Sequence, residues 1–260
     1  MSTIKVNFLG TGTSQGVPII ACNCPVCTSP DHKDKRLRSS VLLTINNDLN
    51  IIIDTGPDFR QQMLRSQTQH LEAVLFTHAH RDHTAGLDDI RAFNHKTDTD
   101  MPIYAEERVL EQLKLEFHYI FSDFKYPGIP RVEAKIIDET PFYIKDFKII
   151  PIRALHYKLP VLGFRIEDFT YITDAKYIED SEIEKIKGSK VLVINALQHE
   201  PHISHFTFEE AINFAQKVQA THTYFTHISH KLGKHEDVSK LLPHNISLAY
   251  DELEIIITKE

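Results

Sequence analysis

Apolar positions come along this chain in short runs, each cut off by Gly, Asn or Asp. IKVNFL (4–9), SVLLTI (40–45), LNIIID (49–54) and AVLFTH (73–78) are β-branched or aromatic in character and predict four strands in the first third. Between the third and fourth, DFRQQMLRSQ fits a short helix starting near Asp58, and GLDDIRAF (86–93) suggests another. The longest helical pattern is AEERVLEQLKLEFHYIF, with Leu110, Leu113, Phe117 and Phe121 on one stripe. The second half is built from similar runs. PFYIKDFKIIPIRA, GFRIEDFTYITDA and KVLVINA are strand-like, and the chain ends in a strand, LEIIIT. Ser181-x-x-Glu184 and Thr207-x-x-Glu210 carry the spacing of capping boxes that open two helices. Gly188 suits the C-terminal end of the first, and Ala211, Ala215 and Val218 mark the core face of the second. No linker-like segment or short-period repeat interrupts the pattern, so residues 1–260 read as a single α/β domain with two strand-rich halves. HYIFSDFKYPGIPRVE (118–133), aromatic and interrupted by proline, is either a connection between the halves or a wall of a substrate pocket.

Composition narrows the class. With 260 residues, 42% of them hydrophobic, the chain can bury a full core. No apolar run approaches the roughly 20 residues of a membrane helix. MSTIKVNFLGTGTS has none of the features of a signal peptide, so a cytoplasmic protein without a membrane partner is expected. A formal net charge of −7 argues against long nucleic acids as the main partner. The basic run HKDKRLR (32–38) is expected to be a solvated loop. Sixteen histidines are the anomaly, because imidazole is the commonest metal ligand in proteins. All three cysteines, Cys22, Cys24 and Cys27, sit in ACNCPVC (21–27). An odd, clustered set builds no disulfide framework, whereas C-x-C-x2-C is a chelating spacing. Structural zinc takes four ligands, so a fourth must come from elsewhere; the alternative is a cluster of free thiols.

The sharpest signal is AVLFTHAHRDHTAGLDDI, where His78, His80, Asp82 and His83 follow an apolar strand. A period of two puts His78 and His80 on one side, and the turn that follows swings Asp82 and His83 back toward them. One cluster can then serve two neighbouring metal ions.

HAHRDH after AVLFT resembles the signature of the metallo-β-lactamase superfamily. The resemblance implies a four-layer αββα sandwich of two mixed β-sheets. It also implies a third histidine, a bridging aspartate and a last histidine, each after a strand, and His156, Asp174 and His227 stand at the matching positions. On that pattern His78, His80 and His156 hold one divalent ion, Asp82, His83 and His227 the other, and Asp174 bridges them. The ions are expected to be zinc or manganese, with iron as a further candidate. Asp54, at the end of LNIIID, matches the family's strand-end aspartate and is expected to orient a ligand histidine; locally it also reads as a turn former. In such a fold the loop after the first strand lies near the metal edge, which makes His230 the expected fourth ligand of a structural Cys22–Cys24–Cys27 zinc site.

CNCPVC, HAHRDH and HISHFTFEEA together resemble the PhnP-like phosphodiesterases, which open phosphoribosyl 1,2-cyclic phosphate. That implies a small phosphorylated substrate and water activated between the metals. His205 matches the family's general acid, with His199 and His202 as nearby competitors. Ribonuclease Z proteins and pyrroloquinoline-quinone biosynthesis B proteins share parts of the pattern. An inert zinc-stabilised binding module is the non-enzymatic alternative, and a homodimer is left open.

Overall fold

The computed structural model describes residues 2–124 and 126–258, so Lys125 of the 118–133 segment lies outside it. The strands are β1 (Thr3–Gly10), β2 (Ser40–Ile45), β3 (Leu49–Ile53), β4 (Ala73–Leu75), β5 (Met101–Ala105), β6 (Val132–Ile136), β7 (Phe142–Ile144), β8 (Phe147–His156), β9 (Leu159–Ile166), β10 (Phe169–Tyr171), β11 (Val191–Asn195), β12 (His222–Thr226), β13 (Ile246–Leu248) and β14 (Glu254–Thr258). They form two seven-stranded sheets, in the orders β14-β1-β2-β3-β4-β5-β6 and β13-β12-β11-β10-β9-β8-β7. Both sheets are mixed: β3 to β6 run parallel, as do β10 to β13, and antiparallel strands complete each sheet. The helices are α1 (Phe59–Ser66), α2 (Arg81–Thr84), α3 (Arg91–Thr97), α4 (Glu107–Glu116), α5 (His118–Phe121), α6 (Asp180–Ile186), α7 (Phe208–Val218) and α8 (His235–Ser239).

Three apolar clusters separate four layers. Between the sheets, Val6, Phe8, Leu43 and Ile51 meet Phe164, Ile166, Tyr171 and Val193. Outside the first sheet, Leu42, Ile52 and Val74 pack on Phe59, Phe93 and Leu110. Outside the second, Leu192 and Ile194 pack on Ile183, Ala211, Phe214 and Val218. The alternation is strict: Ile51 and Ile53 point into the central core while Ile52 points to the helices. A central strand buried on both faces needs such an unbroken apolar run, and each full burial contributes about 1.5–3 kcal/mol. This is the expected αββα sandwich.

Several boundaries move for identifiable reasons. AVLFTH is a strand only through Leu75, because Thr77 N–H donates to the Asp54 carboxylate at 2.9 Å instead of continuing a ladder. PFYIKDFKIIPIRA and GFRIEDFTYITDA each hold two strands, joined by turns in which Lys145 and Glu167 take positive φ without help from glycine. The long helical pattern breaks at Phe117 into α4 and α5. The Ser181–Glu184 capping box does not form: α6 starts two residues earlier than that box requires, with Glu179 as cap, and Glu184 pairs with Lys187. The Thr207–Glu210 box does form. HKDKRLR is not a solvated loop throughout. Arg36 is buried, donating to Thr11 Oγ1 at 2.7 Å and Ala249 O at 2.6 Å, so it satisfies oxygens that lie outside the strand ladders. The described part of 118–133 leads into β6 from its N-terminal end, where Asn94 bonds both the amide and carbonyl of Arg131. That is the sheet edge opposite the end of β4 that leads to His78, so this end of the segment is a connection into β6 and not a wall beside the histidines.

Candidate metal centre

One edge of the sandwich collects the expected residues. His78 follows β4, His156 ends β8, Asp174 follows β10 and His227 follows β12, and the last three strands run in the same direction through their sheet. Asp54, Asp174 and His227 all take left-handed backbone conformations, with φ of 65°, 56° and 54°. Each lies within three residues of a strand end and turns its side chain out of the pleat. For a non-glycine residue this costs about 1 kcal/mol or more, which the surrounding packing must offset. Gly56 lets this edge close: a Cβ there would lie 2.1 Å from Asp82 O.

The side chains form overlapping groups. Ligand atoms of His78, His80 and Asp174 lie within 4.8 Å of one another, as do those of His83, Asp174 and His227, and those of His156, Asp174 and His205. Asp174 is common to all three groups, as a bridging carboxylate would be. Asp82 Oδ2 is 3.2 Å from His83 Nε2, and the His156 ring is 5.1 Å from that of His80. All seven expected residues gather at this edge, but His156 groups with Asp174 and His205 rather than with His78 and His80, and Asp82 falls in none of the three groups.

Neighbouring groups set the tautomers. His83 Nδ1 donates to Asp54 Oδ2 at 2.7 Å. Thr77 Oγ1 donates to the same carboxylate at 2.8 Å and accepts from His78 Nδ1 at 2.9 Å. His156 Nδ1 donates to Ser204 O at 3.0 Å. Ser39 Oγ donates to Gly12 O at 2.9 Å and accepts from His227 Nδ1 at 3.2 Å. With Nδ1 protonated, Nε2 carries the lone pair. Nε2 of His78 and of His83 is buried and has no hydrogen-bond partner, which a native interior rarely tolerates. Divalent cations held by these groups would satisfy both orphans, and the His and carboxylate donors suit zinc, manganese or iron. Asp54 thus orients His83. The local sequence did not single out Thr77, Ser39 or Ser204, because they are small polar residues whose role appears only when distant strands meet.

Charges are tuned by burial and by one another. Burial pulls His78 well below the ordinary imidazole range, and His83 beside it adds to that. Burial opposes charge on His83 too, but Asp174, Asp82 and Asp54 around it outweigh the effect and raise it. Asp174 is held well below the usual carboxylate range: burial works against its charge, and His227 and His83 prevail. Burial pushes His205 down to about 3. His205 is stacked on the His227 ring at 4.8 Å and meets that of His156 edge-on at 4.5 Å, and its buried Nδ1 has no partner. His202 lies 5.0 Å from it and accepts from Ser204 N, whereas His199 is exposed and packs on Phe208.

The second cluster answers the cysteine question. His230 Nδ1 lies 3.3 Å from Cys22 Sγ, 3.3 Å from Cys24 Sγ and 3.5 Å from Cys27 Sγ. Tetrahedral zinc with its usual Zn–S and Zn–N lengths separates sulfur and nitrogen ligands by about 3.5 Å, so the four residues can hold such an ion. A hydrogen bond from the Cys27 backbone brings the Cys24 thiol down to about 6, toward the thiolate a metal needs. The loop beside it is stitched to the main cluster, since Thr13 N donates to Ile228 O at 3.1 Å, one residue past His227.

Fold and paired clusters together define a class. Residues 49–228 match the Beta-lactamase superfamily domain, and the chain belongs to the metallo-β-lactamase superfamily, a class of metal-dependent hydrolases. The crystal structure of a new diphosphatase from the PhnP family is 38% identical, with a TM-score of 0.92 over 99% of this chain and 98% of that one. PhnP is therefore the particular family. The octanoyltransferase of Porphyromonas gingivalis is 39% identical over 97% of this chain but only 51% of its own length, so the chain spans about half of that relative. Zinc-bound PqqB from Methylobacterium extorquens, 17% identical with a TM-score of 0.79 over 96% of this chain and 99% of that one, shares the fold. Among the described residues no helix is long and apolar enough to cross a membrane.

Proposed function

We propose that this chain hydrolyses a small phosphodiester, opening a cyclic phosphate of the phosphoribosyl 1,2-cyclic phosphate kind, with His205 as proton donor to the leaving oxygen. The observation that carries the reading is the place of His205, buried between His156 and His227 with one ring nitrogen unpartnered. In the proposed assignment His78, His80 and His156 hold one divalent ion, Asp82, His83 and His227 the other, and Asp174 both. Bound there, the two ions would supply activated water at neutral pH and screen charge on the phosphoryl oxygens. The chain's own part is orientation and proton transfer. Asp54, Thr77 and Ser204 fix the ring planes. Burial favours the neutral His205 imidazole, which takes up a proton from solvent as an anionic phosphate enters beside it and raises its proton affinity. His205 then gives that proton to the departing alkoxide.

A second reading, cleavage of a diphosphate, is supported by the diphosphatase at 38% identity. Acyl transfer is not carried over, because the match takes in about half of the octanoyltransferase. Phosphorus NMR of phosphoribosyl 1,2-cyclic phosphate and of a nucleoside diphosphate, each with metal-loaded parent and His205→Ala, separates these readings. Ring opening by the parent is expected. The variant should keep its metals and lose turnover by about 100-fold or more, the usual contribution of a general acid. Loss of metal from the variant would make His205 a ligand. Turnover of neither substrate by a fully loaded parent would sink the reading.

A further inference from the structure

A cavity of about 410 Å³ opens directly beside His78 and His80. Ala79, Val109 and Leu159 give it an apolar floor, and its charged lining is Arg81, Arg108 and Glu116, two cations against one anion. The two guanidiniums are held differently. Arg108 is anchored: Nη2 donates to Glu106 and to Pro160 O, and Nε donates to Glu106 at 3.1 Å. Its Nη1 has no hydrogen-bond partner among the described residues. Glu106 is also bound by Arg153 at 2.5 Å, so one carboxylate serves two guanidiniums; Glu139 reaches Arg153 but does not line the cavity. Arg81 is loosely held. Its side chain is 73% exposed and its contact with Glu116 is a long 3.4 Å. Glu116 also accepts from Gln112 at 2.8 Å, so it keeps a partner when Arg81 turns away.

From these contacts we infer that the cavity is the subsite for a second anionic group of the substrate, a phosphate that is not cleaved, and that Arg81 selects for it. The inference rests on the phosphoryl-hydrolase reading and deepens it. Phosphoribosyl 1,2-cyclic phosphate carries a further phosphate at the other end of its sugar, and a nucleoside diphosphate carries one next to the reacting group. Arg81 stands between His80 and Asp82 in the chain, so its backbone is placed relative to the histidines that would face the reacting phosphate. An exposed pair such as Arg81–Glu116 gains little in water, whereas a guanidinium meets a phosphate dianion with two parallel N–H bonds. Exchanging the carboxylate for the phosphate is therefore favourable. Glu116 opposes an anion at its own end of the cavity, and Arg81 and Arg108 together outweigh it. The apolar floor covers one face of the sugar that joins the two phosphates. The groove of about 620 Å³ between α1 and α3, lined by Phe59, Met63 and Phe93, touches none of the clustered histidines and has no comparable claim.

Binding can be read without turnover. Ribose 1-phosphate and ribose 1,5-bisphosphate are monoesters, which phosphodiester cleavage does not consume, and they differ only in the second phosphate. Calorimetric titration of the metal-loaded chain should give about tenfold or more tighter binding of the bisphosphate, as charge-assisted hydrogen bonds contribute. Added salt should shrink that ratio. Arg81→Gln should bring the ratio close to one, and Arg81→Lys, which keeps the charge but not the fork, should leave an intermediate value. Arg108→Gln, outside the histidine motif, should also lower it. Elemental analysis checks that each variant keeps its metals, and Arg108→Gln decides the matter if Arg81→Gln does not. A ratio near one in the parent, or an undiminished ratio in the variants, overturns the subsite and leaves the hydrolase reading standing. A ratio abolished instead by Lys231→Gln, an exposed lysine outside the cavity, puts the second phosphate elsewhere and overturns it too. Failure of the loaded parent to bind either ligand, together with absence of hydrolysis, overturns both.

Discussion

Asp54 shows how much a single carboxylate organises here. It is fully buried, takes a left-handed backbone conformation, and accepts hydrogen bonds from His83 Nδ1, Thr77 N and Thr77 Oγ1. Burial raises its carboxyl, and the charge of His83 works against that rise. Through Thr77 it also reaches His78, so one residue fixes the ring planes of both histidines. Asp54→Ala should therefore lower metal affinity by about 10–100-fold, the usual effect of losing a partner that orients a ligand. Competition with a chelator of known affinity measures it. Unchanged affinity in a folded variant would mean that packing alone orients His83. At this scale the sequence was informative where the residue type was rare. Four side chains of metal-ligating type within HAHRDH mark a candidate site, and all four gather at one edge of the fold. Thr77, Ser39 and Ser204 were invisible, since their chemistry is ordinary and only their neighbours give it meaning.

Individual elements deliver these residues by their ends. Parallel strands line up their C-terminal tips, and a residue just past the tip escapes the pleat only by a local change of backbone. Asp54, Asp174 and His227 solve that problem alike, with positive φ. His205 is delivered differently. It sits two residues ahead of Thr207, whose side chain accepts from Glu210 N at 3.2 Å while Glu210 accepts from Thr207 N at 2.9 Å. That reciprocal cap fixes where α7 begins and hence where the His205 loop ends. Thr207→Ala should cost about 1 kcal/mol in urea unfolding, the usual worth of a cap. It should also reduce turnover more than Glu209→Ala does, because Glu209 is exposed in the same turn and makes no cap. Equal effects would uncouple cap and site. The Thr207 box was legible because its helix starts at the cap and its apolar face matches. The Ser181 spacing failed because α6 begins two residues earlier, where Asp180 and Glu182 both favour the positive end of the helix.

For the molecule as a whole, the question is what joins the two ends of the chain. Cys22, Cys24 and Cys27 meet His230 across about two hundred residues of sequence, and Thr11 to Thr13 pair with Ile228 next to His227. Arg36 and Asp251 add buried contacts between the same regions: Asp251 accepts from Thr11 N at 2.9 Å and Leu37 N at 2.8 Å. A zinc ion at the cysteines would close a loop of about two hundred residues. Cys24→Ser should lose one bound zinc per chain by elemental analysis, lower the melting temperature by several degrees and leave the histidine-cluster metals bound. Retention of all zinc with unchanged melting would return the cysteines to free thiols.

Sequence alone determined the strand-and-helix alternation, the histidine motif and, through it, the superfamily. These follow from periodicity and from side-chain types concentrated within a few residues, so they are local properties. The tertiary structure decided which atoms meet: Asp54 with His83, His230 with three cysteine sulfurs, Arg36 with Thr11 and Ala249, and the apolar cavity with His78 and His80. Each is a contact between segments far apart in the chain. Its geometry exists only after two sheets have twisted, packed and brought their strand tips to a common edge.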